Sequence, residues 1–573
     1  MRALTTLSAL ALLASCKGGA PLDTGTGAPG LSEPPVLPTL RIDQPARAAF
    51  TGEGQVTLAG QATAGSAALS GLSVGGEAIG LGAEGEFTQP WTPHPGLNRL
   101  GARLEDAGGE RAVDGRAFIW GPTHPPGAVL HEAVRLVLGP DLSQLSGLMA
   151  DILSDDSIAD SYEGVTISTD YADITPTQIT WSGAGVALTP GEGTLLTEVV
   201  IHDLRMDFDA EYGWIETDGK ATATTLTLRS ALSLEVVDGS VSAQVSSVQA
   251  EMEDFYVEVD WLPDDLVTWW AEDYVTEALE EQVRASFEEL VPEYLNGLAT
   301  GFAFGEEQPL LVSLALSSIA VTPGGLRMGL DAGVAAERPV PLSEGAGSIR
   351  TDAPPPDWEV GAGGNFRVML DDDLVNQLLF ASWAAGQLSQ IELTTEDLSA
   401  IGDEVGAPLG PVVGLSLDLA LPPVVEPRTR EDMDLNLAIG EMLLSFARAD
   451  GAVHAFSVNA ATGAKVAREG DAGEEQVLLV LDGRPSAVEI EVGVLEHDPN
   501  LDPGDVAALV RMIIPPLLAR SGDFLPTFTV PPVALDEFSD SGALVGVSLR
   551  LDDPEFSVTP EGWMLLKGRF VAE

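Results

Sequence analysis

Positive charge is what this sequence has least of. Its 573 residues hold 28 Lys and Arg, only 4 of them Lys, against 88 Asp and Glu, for a net charge of −60. Phosphate backbones are bound by Lys and Arg that displace counterions, so nucleic acid is excluded as a partner. Docking by charge on anionic lipid headgroups is excluded for the same reason. Cysteine is nearly absent: the single Cys16 rules out an intrachain disulfide and a Cys-based zinc site. The six histidines (His94, His124, His131, His202, His454, His497) show no H-x₃-H or H-E-x-x-H spacing, so no metal site is expected. Asp207-Phe208-Asp209-Ala210-Glu211-Tyr212-Gly213 alternates acids like a calcium loop, but its Gly falls one place late and the spacing favours a hairpin turn. Nucleophile elbows, Walker loops and dinucleotide fingerprints are missing, and no carboxylate pair is singled out for glycoside hydrolysis. The expected protein is not an enzyme and uses no cofactor. What is there is apolar: 45% hydrophobic residues exclude a disordered acidic chain, and the length suggests about three or four domains.

The chain opens on MRALTTLSALALLASC, a charged start, an apolar stretch from Leu7 to Leu13 and small residues before Cys16. This reads as a signal peptide over 1–15, too short to span a bilayer as a helix. Leu13-Ala14-Ser15-Cys16 resembles the lipobox of bacterial lipoproteins, in which the cysteine is cleaved free and acylated. The resemblance implies a membrane anchor at Cys16, since two or more acyl chains hold where one does not. Lys17, with no Asp beside it, fits an outer-membrane destination in the cell envelope. Residues 16–39 are rich in Gly, Pro and Thr and read as a flexible tether. From 40 to 122, short apolar alternations between Gly turns, among them Val74-Gly75-Gly76, predict a small β-sandwich resembling bacterial immunoglobulin-like domains.

Beyond residue 127 the pattern predicts an α+β fold, mainly strand with long helices. Helical spacing is read at Val134, Val137 and Leu138, then at Leu145, Leu148, Met149 and Ile152, with Gly139-Pro140 between. A long amphipathic helix is predicted over 265–300, capped by Asp264-Asp265 and carrying Leu266, Trp270, Tyr274, Leu279, Val283, Phe287, Leu290, Tyr294 and Leu298. Residues 343–364 read as a linker between two units, 127–342 and 365–573, and the second has helices at 371–388 and about 503–520. Val321-Thr322-Pro323-Gly324-Gly325 returns as Val558-Thr559-Pro560-Glu561-Gly562, offset by 237 residues, a strand, a Pro-initiated turn and a return strand in each half.

The stretch Phe366-Arg367-Val368-Met369-Leu370-Asp371-Asp372-Asp373-Leu374 through Asn376, Leu378, Trp383 and Gly386-Gln387-Leu388 resembles the start of the C-terminal domain in the tubular lipid-binding superfamily, which includes bactericidal/permeability-increasing protein and cholesteryl ester transfer protein. The resemblance covers roughly 127–573. It implies two end-to-end barrels, each a twisted antiparallel sheet wrapped around a long helix and enclosing an apolar groove for acyl chains. The lining residues it suggests are Leu266, Trp270, Tyr274, Leu279, Val283, Phe287, Leu374, Leu378 and Trp383. The expected function is an envelope lipoprotein that binds and transfers a lipid or other hydrophobic molecule. The alternative is a structural or adhesive surface lipoprotein with solid barrels. The absence of a basic patch sets the chain apart from the cationic members that engage lipopolysaccharide.

Overall fold

The computed structural model describes residues 36–572 apart from a number of gaps, the longer ones at 151–163, 260–275, 394–411, 520–527 and 535–547. The first unit is a pair of facing sheets. One runs through Thr39–Gln44, Val56–Thr63 and Glu86–Trp91; the other has five strands, centred on Gly96–Asp106 and Arg111–Trp120. Alternation makes them: along Val56–Thr63 every second residue is buried, and Leu58, Phe87, Leu104 and Phe118 fill the space between the sheets.

Behind the sandwich stands an eight-stranded sheet built from both halves of the remaining chain. Its order is 302–304, 310–322, 325–336, 130–138, 366–370, 564–572, 548–558 and 533–534. The halves meet where Leu130–Leu138 pairs antiparallel with Phe366–Leu370, Val134 opposite Leu370 and Leu138 opposite Phe366. Two flanking sheets, of seven strands within 167–259 and eight within 391–529, complete the two halves.

The central sheet has an internal two-fold. The hairpin of Leu310–Thr322 with Gly325–Ala336 and that of Ser548–Val558 with Met564–Ala572 lie at equivalent places on either side of the central strand pair. Both turns carry the repeated V-T-P-x-G, and both end on a glycine with positive φ, +120° at Gly325 and +110° at Gly562. Across the centre, Arg135 is opposite Met369 and Val137 opposite Arg367. These pairs interchange if Arg135-Leu136-Val137-Leu138 is matched to Arg367-Val368-Met369-Leu370, a second repeat in the sequence.

The α+β architecture with long helices is corrected by this arrangement. Strands dominate, and the two helices described end to end are short: α1, Asp372–Ala384, has 13 residues and α2, Pro503–Ala519, has 17. Among the described residues no sheet wraps a long helix. Most of the 265–300 stretch lies outside them. Those described there, from Thr276 to Asn296, are helical and lie along one flanking sheet, where three side chains serve its edge. Glu280, Glu288 and Asn296 accept from the backbone N–H groups of Ala250, Val245 and Val241 at 3.1, 3.1 and 2.7 Å. An edge strand covered in this way no longer offers its donors to another chain.

The helical spacing read at Val134, Val137 and Leu138 is likewise corrected, for 130–138 is a strand. Its apolar end, Val134 to Leu138, is broken only by Arg135, and so short an apolar run cannot be told from a helix by periodicity. The Pro- and Gly-rich crossing at 343–364 is not loose where it is described. Ser348–Ile349 pairs with Thr123–His124, and Ile349 is buried between the sandwich and the second half.

Candidate functional site

The residues expected to line one groove are dispersed. Phe287 is buried in the first-half core. Leu374 and Leu378 lie half-buried on α1 against Leu310 and Val334 of the central sheet. Trp383 belongs to the core of the second half: its ring centroid lies 5.6 Å from that of Phe380 and 6.5 Å from Phe50 of the sandwich, and its Nε1 donates to the Leu419 carbonyl at 2.6 Å. Leu266, Trp270, Tyr274, Leu279, Val283 and Cys16 lie outside the described residues.

Each half has a buried apolar layer with partly buried apolar side chains packed against it. In the second, Phe446 and Phe456 are fully buried edge to face at 5.8 Å in a close-packed core. In the first, a buried layer that includes Leu226, Leu232 and Val245 is flanked by aliphatic side chains that remain half-exposed, among them Leu136, Val186, Ile201, Leu234, Leu314 and Ile319. These come from the central and flanking sheets, so the half-open surface spans both.

A polar cluster caps α1 between the halves. Asp371 is the N-cap and accepts from the Asp373 N–H at 3.1 Å. The Thr351 hydroxyl donates to Asp372 and Asp373 at 2.9 and 2.8 Å, its N–H donates to Asp373 at 2.7 Å, and His124 Nε2 lies 3.1 Å from Asp373. The three carboxylates lie within 4.8 Å of one another, an arrangement that could take a hard divalent cation. The crowding can also be relieved by a proton. Burial first, then a hydrogen bond shared with Asp372, pushes the Asp371 carboxyl up to about 8, and burial also raises Asp372. An acid whose folded pKa exceeds its unfolded one binds its proton more tightly when folded. Its contribution is therefore intact below about pH 4 and is lost as pH rises toward 8. Asp371→Asn keeps a capping oxygen and removes the charge. It should raise stability at pH 8 by about 2 kcal/mol, a figure discounted for screening of a half-buried group, and flatten the pH 4–8 slope. Chemical denaturation across that range reads the change.

Sequence spacing gave no hint of a second polar cluster, where the sandwich meets the second half. Glu441 follows Gly440 in a β-bulge with φ +50° and is fully buried. Its carboxylate accepts from Arg47 at 2.5 Å, from the Ser457 hydroxyl at 2.6 Å and from the Ala117 N–H at 2.6 Å. Arg47 also reaches Asp114, which accepts from the Ile42 N–H, and Arg116 donates to the Ile42 carbonyl. The one available sequence signal is a Gly-Glu pair interrupting the apolar strand Leu435–Arg448. The cluster ties three segments of the sandwich to one strand of the second half, so the sandwich is seated on that half rather than held apart as a spacer.

No protein-family model matches the chain, and no curated protein matches it. Among solved structures, a lipopolysaccharide binding protein aligns with 78% of this chain and 99% of its own at 14% identity and a TM-score of 0.39. P47 of Clostridium botulinum E1 aligns with 78% of this chain and 100% of its own at 8% identity and a TM-score of 0.21. Likeness this distant leaves the function to be read from the chain's own residues.

Proposed function

We propose that this protein is a non-catalytic lipoprotein of the bacterial cell envelope, anchored through acylated Cys16, that holds lipid acyl chains and passes them on. The observation that carries the reading is the half-open aliphatic surface of the first half, where Leu136, Ile201, Leu234 and Leu314 flank a buried apolar layer. Each methylene moved from water onto such a surface gains about 0.8 kcal/mol, so an acyl chain gains affinity with its length and needs few polar contacts. The net charge of −60 disfavours attraction to anionic headgroups and leaves membrane attachment to the anchor.

The full chain carrying Cys16→Ser tests both parts. It should leave the membrane fraction, and organic extracts of the purified protein should contain stoichiometric acyl lipid by mass spectrometry. A fluorescent fatty acid should bind, and Leu234→Glu with Leu314→Glu should abolish that binding. Protein that carries no lipid and takes up none would sink the lipid reading and favour a structural surface role. Continued membrane association would sink the anchor.

A further inference from the structure

The sandwich and the second half enclose a cleft of about 290 Å³ lined by Ser73, Gly75, Gly76, Arg103, Glu491 and Arg511, among others. Along Gly96–Asp106 the residues 99, 101 and 103 alternate onto one face of the strand. Arg99 bonds Glu489 at 3.0 Å. Gly101 lies against Glu491, where a Cβ would come within 3.2 Å of Glu491 Cγ, so the absent side chain keeps the space open. Gly75 and Gly76, at φ +58° and +86°, bring bare backbone to the wall from the turn after Leu69–Val74.

Two positive charges meet in this cleft. Elsewhere Arg41, Arg205, Arg229, Arg350 and Arg484 each hold a carboxylate. Arg103 from the sandwich and Arg511 from α2 face the cleft together, and neither makes a hydrogen bond or ion pair among the described residues. Burial, then the charge of Arg103, lowers the Arg511 pKa, which places the two guanidinium groups within each other's field. Glu491 is half-buried, its Oε2 has no hydrogen-bond partner, and burial raises its pKa. Two like charges are thus brought together beside a carboxyl oxygen with nothing to bond.

We propose that this cleft binds a small ligand through a phosphate group held between Arg103 and Arg511, with a neighbouring hydroxyl or amine of the ligand meeting Glu491. A tetrahedral oxyanion can engage two guanidinium groups from opposite walls at once, and each such bond is charge-assisted. The cleft volume suits a compact phosphomonoester or the headgroup of a phospholipid, and the site does not depend on the acyl-binding reading.

Isothermal titration of the full chain (Cys16→Ser) with inorganic phosphate and with glycerol 1-phosphate should show saturable binding at one site. Arg103→Ala or Arg511→Ala should weaken it about tenfold or more, and Arg229→Ala, on the first half, should leave it unchanged. Arg511→Lys, which keeps the charge without the fork, should give an intermediate loss and guards against misfolding of the alanine variant. Co-sedimentation with vesicles containing phosphatidic acid separates the sources. Binding of the soluble phosphates assigns a free phosphomonoester, and vesicle binding lost in Arg103→Ala assigns a lipid headgroup. Saturation by neither, or binding indifferent to both arginine substitutions, overturns the proposal.

Discussion

Glu441→Ala should destabilise the protein by about 3–5 kcal/mol and loosen the sandwich from the second half. The carboxylate is fully buried and accepts from Arg47, Ser457 and the Ala117 N–H. Removing it leaves a guanidinium, a hydroxyl and a backbone donor without their acceptor, and such groups cost far more unpaired than they gain when paired. Glu441→Gln keeps the shape and part of the bonding but loses the charge that Arg47 faces, and should cost about half as much. Chemical denaturation measures the loss. Hydrogen exchange locates it, with protection falling first at Ile42 and Ala117, which this network holds. A global loss without that local signature would mean Glu441 supports its own sheet and not the seat of the sandwich.

Gly325→Ala should cost about 3–5 kcal/mol, combining positive-φ strain with an overpacked contact. A Cβ there would lie 1.9 Å from the Leu138 carbonyl oxygen, at the end of the central strand that joins the halves. Backbone on both sides cannot yield as a side chain would. Gly76→Ala is the control: it shares the positive φ, at +86°, but has open space around it, and should cost about 1 kcal/mol. Thermal melts of the two variants separate the terms. Equal losses would show that φ alone matters at the turn and that the hairpin can move off Leu138.

Much of the local structure was legible in the residues. The strand-turn-strand pattern at Val321–Gly325 and Val558–Gly562 needed only Pro, Gly and alternation to be read, and both hairpins are there. The helices expected at 371–388 and about 503–520 are present as α1 and α2, because each begins at an Asp or Pro and carries apolar residues at helical spacing. The run around Val134 defeated the same reasoning, since a short, mostly apolar run suits a strand as well as a helix. The clusters at Glu441 and at Arg103 with Arg511 were invisible for another reason. Their members lie hundreds of residues apart, and only the seating of one unit on another brings them together.

The sequence alone determined the excess of acid, the lone cysteine, the strand-rich halves and the two repeated turns, because charge, turn chemistry and alternation act over a few neighbouring residues. Tertiary structure decided the rest. It set the repeated hairpins on either side of the central strand pair of one sheet and flanked the first half's buried layer with half-exposed aliphatic side chains. It also placed two of the scarce arginines beside one half-buried carboxyl, since that placement depends on strand register and on which faces pack, neither of which is written at any single position.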